Sequence, residues 1–131
     1  PRWEEEGEWW QDADEWPHLR YDALLDLLSD SCQVGVVPLV QDDWNRSKSL
    51  CKWMEYTVAG LAVVASPVGE YAGLKHGWDL LHANTMEDWI RELKNLLGDP
   101  TGRRKLVQHA RSTLLSEFTT VSNTFVRDYI A

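Results

Sequence analysis

Five polar residues, two of them cationic, stand directly before a predicted helix: Asn45, Arg46, Ser47, Lys48 and Ser49. The first N–H groups of a helix have no partner inside the helix, and they lie at the positive end of its dipole. An anion is favoured at such a place, and Arg46 and Lys48 would add positive charge to it. The sequence therefore predicts an anion site at residues 45–49.

One carboxylate, Glu55, follows within the predicted helix. Lys48, Lys52 and Glu55 are spaced at i, i+4 and i+7, which puts them on one helical face. An anion at the helix start and a carboxylate two turns further can then contact the same ligand. The same spacing also fits an ordinary structural role, in which Glu55 pairs with Lys52 or Lys48 on a solvated face.

The segments around these residues predict a strand, a loop, a helix and a second strand. Residues 34–40 and 61–66 are short Val-rich apolar runs, typical of strands that are covered on both faces. Between them, apolar-face positions recur with helical spacing at Leu50, Trp53, Met54, Thr57 and Val58, and Gly60 ends the helix. This order indicates an α/β domain with a short parallel sheet flanked by helices. Such sheets bind ligands at the carboxyl ends of their strands, where residues 41–49 and 67–73 form the loops.

Further elements follow from periodicity and from start and stop signals. A helix is predicted over residues 20–29, one helical turn over 70–75 and a third strand over 78–82. Thr85 and Asp88 form a variant capping box at the start of the next helix. Asp99 and Pro100 begin another helix, which ends near residue 118, and a last helix is predicted over 121–130.

The charge of the chain is concentrated at its start. The formal net charge is −8 over 131 residues, and residues 1–16 carry −6 of it, with seven acids against Arg2. Four tryptophans lie among these acids: Trp3, Trp9, Trp10 and Trp16. We interpret residues 1–17 as an acidic Trp-rich arm, or as a remnant left where a longer polypeptide was cut, and residues 18–131 as one domain. The acidic balance argues against nucleic acid as a partner, because phosphate backbones need a basic surface.

Several kinds of chemistry lack their usual signals. Cys32 and Cys51 match no metal or redox spacing and fit two reduced thiols in or near the core, as in a cytoplasmic protein. The four histidines form no zinc spacing, and no metal is expected. The Walker A motif of nucleoside triphosphatases and the GxGxxG motif of dinucleotide-binding enzymes are absent. No apolar run has the roughly 20 residues that cross a bilayer, so any membrane contact is expected to be peripheral.

Taken in order, the pieces resemble the C-terminal domain of GT-B fold glycosyltransferases, specifically the retaining group-1 (family-4-like) enzymes. The likeness is carried by VGVVPL, NRSKS, KWMEYTVAGLAVVASPVG, HGWDLL and NTMEDWIRELKNLLGDPTGRRKLVQHAR, with FTTVSNTF behind them. It runs from about residue 20 to the end of the chain. The fold that it implies is a partial, Rossmann-like three-layer domain.

The resemblance implies a site for a nucleotide-diphosphate sugar donor. Glu55 takes the position of the glutamate that holds the donor ribose, the segment at residues 45–49 meets the diphosphate, and the turn with Val68 and Gly69 lies near the donor. A second glutamate usually stands eight positions before the first, but Ser47 occupies that position here. Asn45, Arg46 and Lys48 are the expected replacement.

The resemblance also implies what else the enzyme needs. GT-B enzymes react in the cleft between two domains, and the acceptor-binding N-terminal domain does not correspond to any part of this sequence. We therefore expect the isolated chain to bind donor weakly and to turn over nothing, and we leave a homo-oligomer open. The alternative is a non-catalytic Rossmann-like interaction module, in which the Trp-rich arm docks to a partner. Catalytic residues are not assigned.

Overall fold

The computed structural model describes residues 19–118 and 128–130. Its α-helices and β-strands are, in chain order, α1 (Tyr21–Ser31), β1 (Val34–Val37), α2 (Asp43–Arg46), α3 (Cys51–Ala59), β2 (Ala62–Ala65), β3 (Leu81–His82), α4 (Met86–Gly98) and α5 (Pro100–Thr113). A 3₁₀ helix at Gly69–Gly73 follows β2, and a π-helical turn at Leu114–Phe118 follows α5. The arm predicted at residues 1–17 lies outside the described residues. So does most of the helix predicted over 121–130, of which residues 128–130 are described and are helical.

The three strands form one parallel sheet in the order β1-β2-β3. Val37 of β1 is in register with Ala65 of β2, and Ala65 is in register with His82 of β3. The last residues of all three strands therefore lie side by side at one edge of the sheet. The loops that leave this edge are the ones that hold the predicted site.

The central strand β2 is buried on both faces, and its alternate residues enter two different cores. Val63 and Ala65 pack on the face covered by α1 and α3, whereas Ala62 and Val64 pack on the face covered by α4. Helix α5 contributes to both cores. Side chains of a strand alternate between faces, so this Val-rich run can fill both sides. The structure is thus an α/β domain with a short parallel sheet flanked by helices, which confirms the predicted fold class.

The predicted helix boundaries are largely confirmed. Gly60 ends α3 in the left-handed conformation with φ of 89°, which a residue without a β-carbon adopts at low cost. Thr85 and Asp88 form a complete capping box at the start of α4. Asp99 caps α5, and Pro100 is its first residue. These ends were readable because each depends on residues close in sequence.

The strand predictions were too long. The first strand ends at Val37 rather than at residue 40, since Pro38 has no N–H for the ladder and Val40 is 71% exposed. The third strand begins at Leu81 rather than at residue 78, because the backbone N–H groups of Trp78 and Asp79 both bond to the carbonyl of Lys75 in a turn. Cys51 is exposed, so the expectation of a near-core thiol is wrong there.

Two arginines of α5 make contacts that the sequence did not predict. Arg111 donates from Nε to the carbonyl of Thr57 at 3.1 Å and from Nη2 to that of Val58 at 2.8 Å. Arg103 donates from Nη1 to the carbonyl of Leu96 at 2.6 Å. The last carbonyls of a helix have no partner inside it and carry its negative end, so each arginine caps the C-terminal end of another helix, α3 or α4.

Across residues 19–118 and 128–130, no helix combines the length and the apolar character that a bilayer crossing requires.

Candidate functional site

The segment at residues 45–49 is partly helical rather than a simple loop. Asn45 and Arg46 are the last residues of α2, which Asp42 caps by accepting a 2.7 Å hydrogen bond at Oδ1 from the N–H of Asn45. The Arg46 guanidinium pairs with Asp43 at 3.0 Å. The Ser47 hydroxyl donates to the carbonyl of Trp44 at 2.7 Å and so closes the end of α2. The sequence did not predict α2, although Asp42 is an ordinary N-cap residue.

Two loops meet at the carboxyl edge of the sheet, through hydrogen bonds and backbone contact. The Leu39 N–H donates to Ser66 Oγ at 2.9 Å, and the Gln41 side chain donates to the carbonyl of Pro67 at 3.3 Å. Deeper in the loops, Gly69 lies so close to Arg46 that a β-carbon at Gly69 would stand 2.5 Å from the Arg46 carbonyl oxygen. The first loop therefore rests directly on the turn after β2, at the edge where such sheets bind ligands.

The turn itself is built to allow this approach. Gly69 has φ of 56°, a backbone conformation that side chains disfavour. Val68 is buried, with 1% of its surface exposed, so it packs inside the turn. Next in the chain, Tyr71 is also buried, and its hydroxyl donates to the carbonyl of Ser49 at 3.3 Å. Burial raises the pKa of Tyr71, so the hydroxyl stays a donor at neutral pH. Tyr71 thereby anchors the end of the cationic segment.

Glu55 lies on the second turn of α3 and pairs with Lys52. The Lys52 ammonium is 2.9 Å from Glu55 Oε2, and the Glu55 side chain is only 22% exposed. The hydrogen bond to Glu55 raises the pKa of Lys52. Across from this pair on α1, burial and the charge of Glu55 raise the pKa of Tyr21. The structural role that the spacing had left open for Glu55 is thus present, in the form of an ion pair with Lys52.

The other predicted cation, Lys48, is exposed and lies before the first residue of α3. Within the described part of the chain it takes part in no salt bridge. Helix α3 begins with Leu50 as its N-cap residue, which offers no side-chain hydrogen bond to the first N–H groups. A free ammonium therefore stands beside an uncapped helix start.

A cavity of about 570 Å³ opens next to this helix start, and its lining includes Leu50, Glu70, Lys75 and Asp79. Its volume is in the range of small-molecule sites. Asp79 is buried and accepts two short hydrogen bonds, 2.7 Å from the N–H of Lys75 and 2.6 Å from the Thr113 hydroxyl. These bonds hold one wall of the cavity in place.

Two of the four histidines, which form no zinc spacing in the sequence, are neighbours at this edge. The His82 N–H donates to Nδ1 of His76 at 2.9 Å, and their rings stack with centroids 5.8 Å apart. Nε2 of His82 lies 2.8 Å from the carbonyl of Tyr71. Because a carbonyl only accepts, Nε2 of His82 carries a proton. The position of His82 at the end of a predicted strand was the signal that placed it at the carboxyl edge.

The structure places the predicted residues in two groups, one where the two loops meet and one on the second turn of α3. Arg46 and Gly69 touch, and Ser49 is tied to the 3₁₀ helix after Gly69 through Tyr71. Glu55 lies one helical turn further along α3, paired with Lys52. In the described residues, no group of three or more potential metal ligands occurs. The expectation that no metal is needed stays a prediction.

The fold and its loop edge define a Rossmann-like α/β domain, a class in which ligands bind at the carboxyl ends of the strands. A family model described as "Glycosyl transferase-like" matches residues 1–124. The chain therefore belongs to the glycosyl transferase-like family, and glycosyl transfer is its general activity. Searches among curated proteins and among solved structures gave no match.

Proposed function

We propose that the chain is the donor-binding part of a retaining, group-1-like glycosyltransferase of GT-B architecture, and that its donor is a nucleotide-diphosphate sugar. The single observation that carries this proposal is the contact of Arg46 with Gly69 at the carboxyl edge, directly before the start of α3. Membership of the glycosyl transferase-like family supplies the general reaction. The proposal assigns the diphosphate to residues 45–49 and the ribose to Glu55.

Cations and backbone amides form the diphosphate part of the site. Lys48, which has no ion pair in the described residues, and the first N–H groups of α3 face the phosphate oxygens. Arg46 adds a second cation, since its pairing with Asp43 is on the surface and weak. When the sugar leaves, negative charge grows on the diphosphate, and these groups stabilise it. Asn45, Arg46 and Lys48 replace the glutamate that Ser47 lacks, with hydrogen-bond donors and the Asn45 amide oxygen in place of a carboxylate.

Glu55 binds the ribose through Oε1, the carboxylate oxygen that Lys52 does not contact. Lys52 bonds to Oε2, and a carboxylate accepts at both oxygens. Vicinal hydroxyls donate to Oε1 without breaking the ion pair. Lys52 thereby fixes the orientation of the Glu55 carboxylate. The acceptor is bound by a separate domain, so this chain alone binds donor without turnover.

The test is calorimetric titration of nucleoside diphosphates and their sugars into wild type, Glu55→Gln and Lys48→Gln. We expect each variant to bind about tenfold or more weakly, because hydrogen bonds to charged groups contribute about 1.5–3 kcal/mol. Lys94→Gln removes a charge from an exposed position in the third turn of α4, which covers the opposite face of the sheet from α3, and is the matched control that keeps wild-type affinity.

The outcomes separate the proposal from its alternative. If no folded protein of the set binds any nucleotide or sugar nucleotide, the chain is a non-catalytic interaction module. If the wild type binds and Glu55→Gln binds equally well, the ribose assignment is wrong. Circular dichroism of every variant checks the fold, which should be retained because loss of the partly exposed Lys52–Glu55 pair costs about 1 kcal/mol.

A further inference from the structure

A second cavity, of about 400 Å³, lies at the opposite edge of the sheet from the candidate donor site. Its lining includes Gln33, which precedes β1, and Gly60, which precedes β2. The amino ends of the strands therefore face it. The polar groups that line it are Ser29, Gln33, Gln108, Arg103, Arg104 and Arg111, without a carboxylate among the described residues.

The helix that supplies these arginines carries charge of one sign only. Pro100–Thr113 contains Arg103, Arg104, Lys105 and Arg111 and neither Asp nor Glu. Elsewhere in the described residues, Arg20, Arg46, Lys52 and Arg91 form salt bridges, whereas Lys48, Lys75 and Lys94 form none but stand on separate elements. No cation of α5 forms a salt bridge with a described residue, and its four are on one helix. In a chain with a net charge of −8, this concentration of unpaired positive charge is an exception.

Two of the three arginines are fixed in position. Arg111 uses Nε and Nη2 for the carbonyls at the end of α3, and Arg103 uses Nη1 for the end of α4. A guanidinium has five N–H donors, so each keeps donors for a ligand. Burial lowers the pKa of Arg111, because water is removed from its charge without a carboxylate in exchange. A bound anion would replace that lost solvation.

The third arginine is more exposed and more loosely held. Arg104 donates from Nη2 to the hydroxyl of Thr101 at 3.3 Å, and it is an exposed residue that lines the cavity. Its neighbour Lys105 does not line this cavity but a different one, which Arg103 borders as well. Arg104 and Lys105 therefore carry the same charge on the same helix, but they line different cavities.

We propose that the cavity between α1 and α5 is a phosphate-binding site, separate from the donor site. Planar guanidinium groups bind phosphate oxygens through two parallel hydrogen bonds, and the cavity supplies three of them at fixed or nearly fixed positions. The amides of Gln33 and Gln108 and the hydroxyl of Ser29 add uncharged donors. The ligand is a phosphate or diphosphate group, either free in solution or on the headgroup of an anionic lipid.

The first test is a heteronuclear NMR titration of the isotope-labelled chain with sodium pyrophosphate, against sodium chloride at equal ionic strength. Pyrophosphate should shift the amide resonances of Gln33, Gly60 and Gln108 with one saturating curve. Resonances of residues 45–49 report the donor site in the same spectra, so failure of one site is distinguishable from failure of the other. Absence of saturable shifts around the cavity would overturn the proposal.

Charge substitutions give the second test. Arg104→Gln should weaken pyrophosphate binding at the cavity about tenfold, because it removes a charge-assisted contact. Lys105→Gln removes the same charge from the same helix and should change the affinity less than twofold. Equal losses in both variants would show a non-specific effect of charge and would refute the site.

Co-sedimentation with vesicles separates the two sources of phosphate. Vesicles of phosphatidylcholine with phosphatidylglycerol should bind the wild type more than Arg104→Gln if the ligand is a headgroup. Equal, weak sedimentation of both proteins, together with saturable pyrophosphate shifts, assigns the site to a free phosphate. If Arg104→Gln and Lys105→Gln reduce the sedimented fraction equally, the cavity is not the headgroup site.

Discussion

Replacing Gly69 with alanine tests the contact on which the candidate site depends. The new β-carbon would stand 2.5 Å from the Arg46 carbonyl oxygen, whereas ordinary van der Waals contact begins near 3.4 Å. The loop or the turn would have to move by about 0.9 Å. A side chain at positive φ costs about 1–2 kcal/mol, and forcing atoms into a packed contact costs about 1–3 kcal/mol. We expect Gly69→Ala to lower the free energy of unfolding by about 2–5 kcal/mol.

Gly73 provides the matched control because it lies in the same 3₁₀ helix and a β-carbon there would meet nothing within 4 Å. Urea denaturation followed by circular dichroism should show Gly73→Ala within about 0.5 kcal/mol of wild type. Where Gly69→Ala remains folded, its nucleotide affinity should also fall, since residues 45–49 are displaced. If Gly69→Ala is as stable as Gly73→Ala, the two loops do not press on each other and the reasoning about the site fails.

Two further substitutions test other parts of the structure. Thr57 is buried in α3, and its hydroxyl has no hydrogen-bond partner among the described residues. Thr57→Val should therefore raise the free energy of unfolding by about 1 kcal/mol, whereas Thr57→Ser should lower it; a destabilised Thr57→Val would mean that the hydroxyl has a partner. Hydrogen bonds from the N–H of Thr85 and from Arg91 hold the pKa of Asp88 well below its usual range. A depressed carboxyl pKa stabilises the folded state above the unfolded pKa, and this contribution disappears as the pH falls below about 4. The stability difference between wild type and Asp88→Asn, measured by thermal denaturation across pH, should shrink in the same range, and a difference that does not depend on pH would refute the assignment.

Local signals in the sequence were enough for the helix ends and for the order of elements. The capping box of Thr85 and Asp88, the glycine stop at Gly60 and the Pro100 start each involve residues within one turn of each other. The apolar face of α3 was also predicted, because burial of Trp53 and its neighbours follows the helical period. Such features need no knowledge of distant parts of the chain.

Long-range contacts could not be read in the same way. No local pattern indicates that the turn at Lys75 takes Trp78 out of the third strand. The Trp78 ring instead stacks on the ring of His109, with the two centroids 3.7 Å apart. The bond between Arg111 and Thr57 joins residues 54 positions apart, and the cationic face of α5 becomes visible only when its cavity is formed. The edge of the sheet was predictable, but the direct contact of Arg46 with Gly69 was not.

The two arginine caps also determine how the domain opens. Arg111 ties α5 to the helix end on one face of the sheet, and Arg103 ties it to the helix end on the other face. The last turn of α3 or α4 cannot fray without losing a bond to α5, which itself packs in both cores. Amide hydrogens at those two helix ends should therefore exchange with solvent together with those of α5, as one cooperative unit. A ligand bound to α5 would then slow exchange on both sides of the sheet at once.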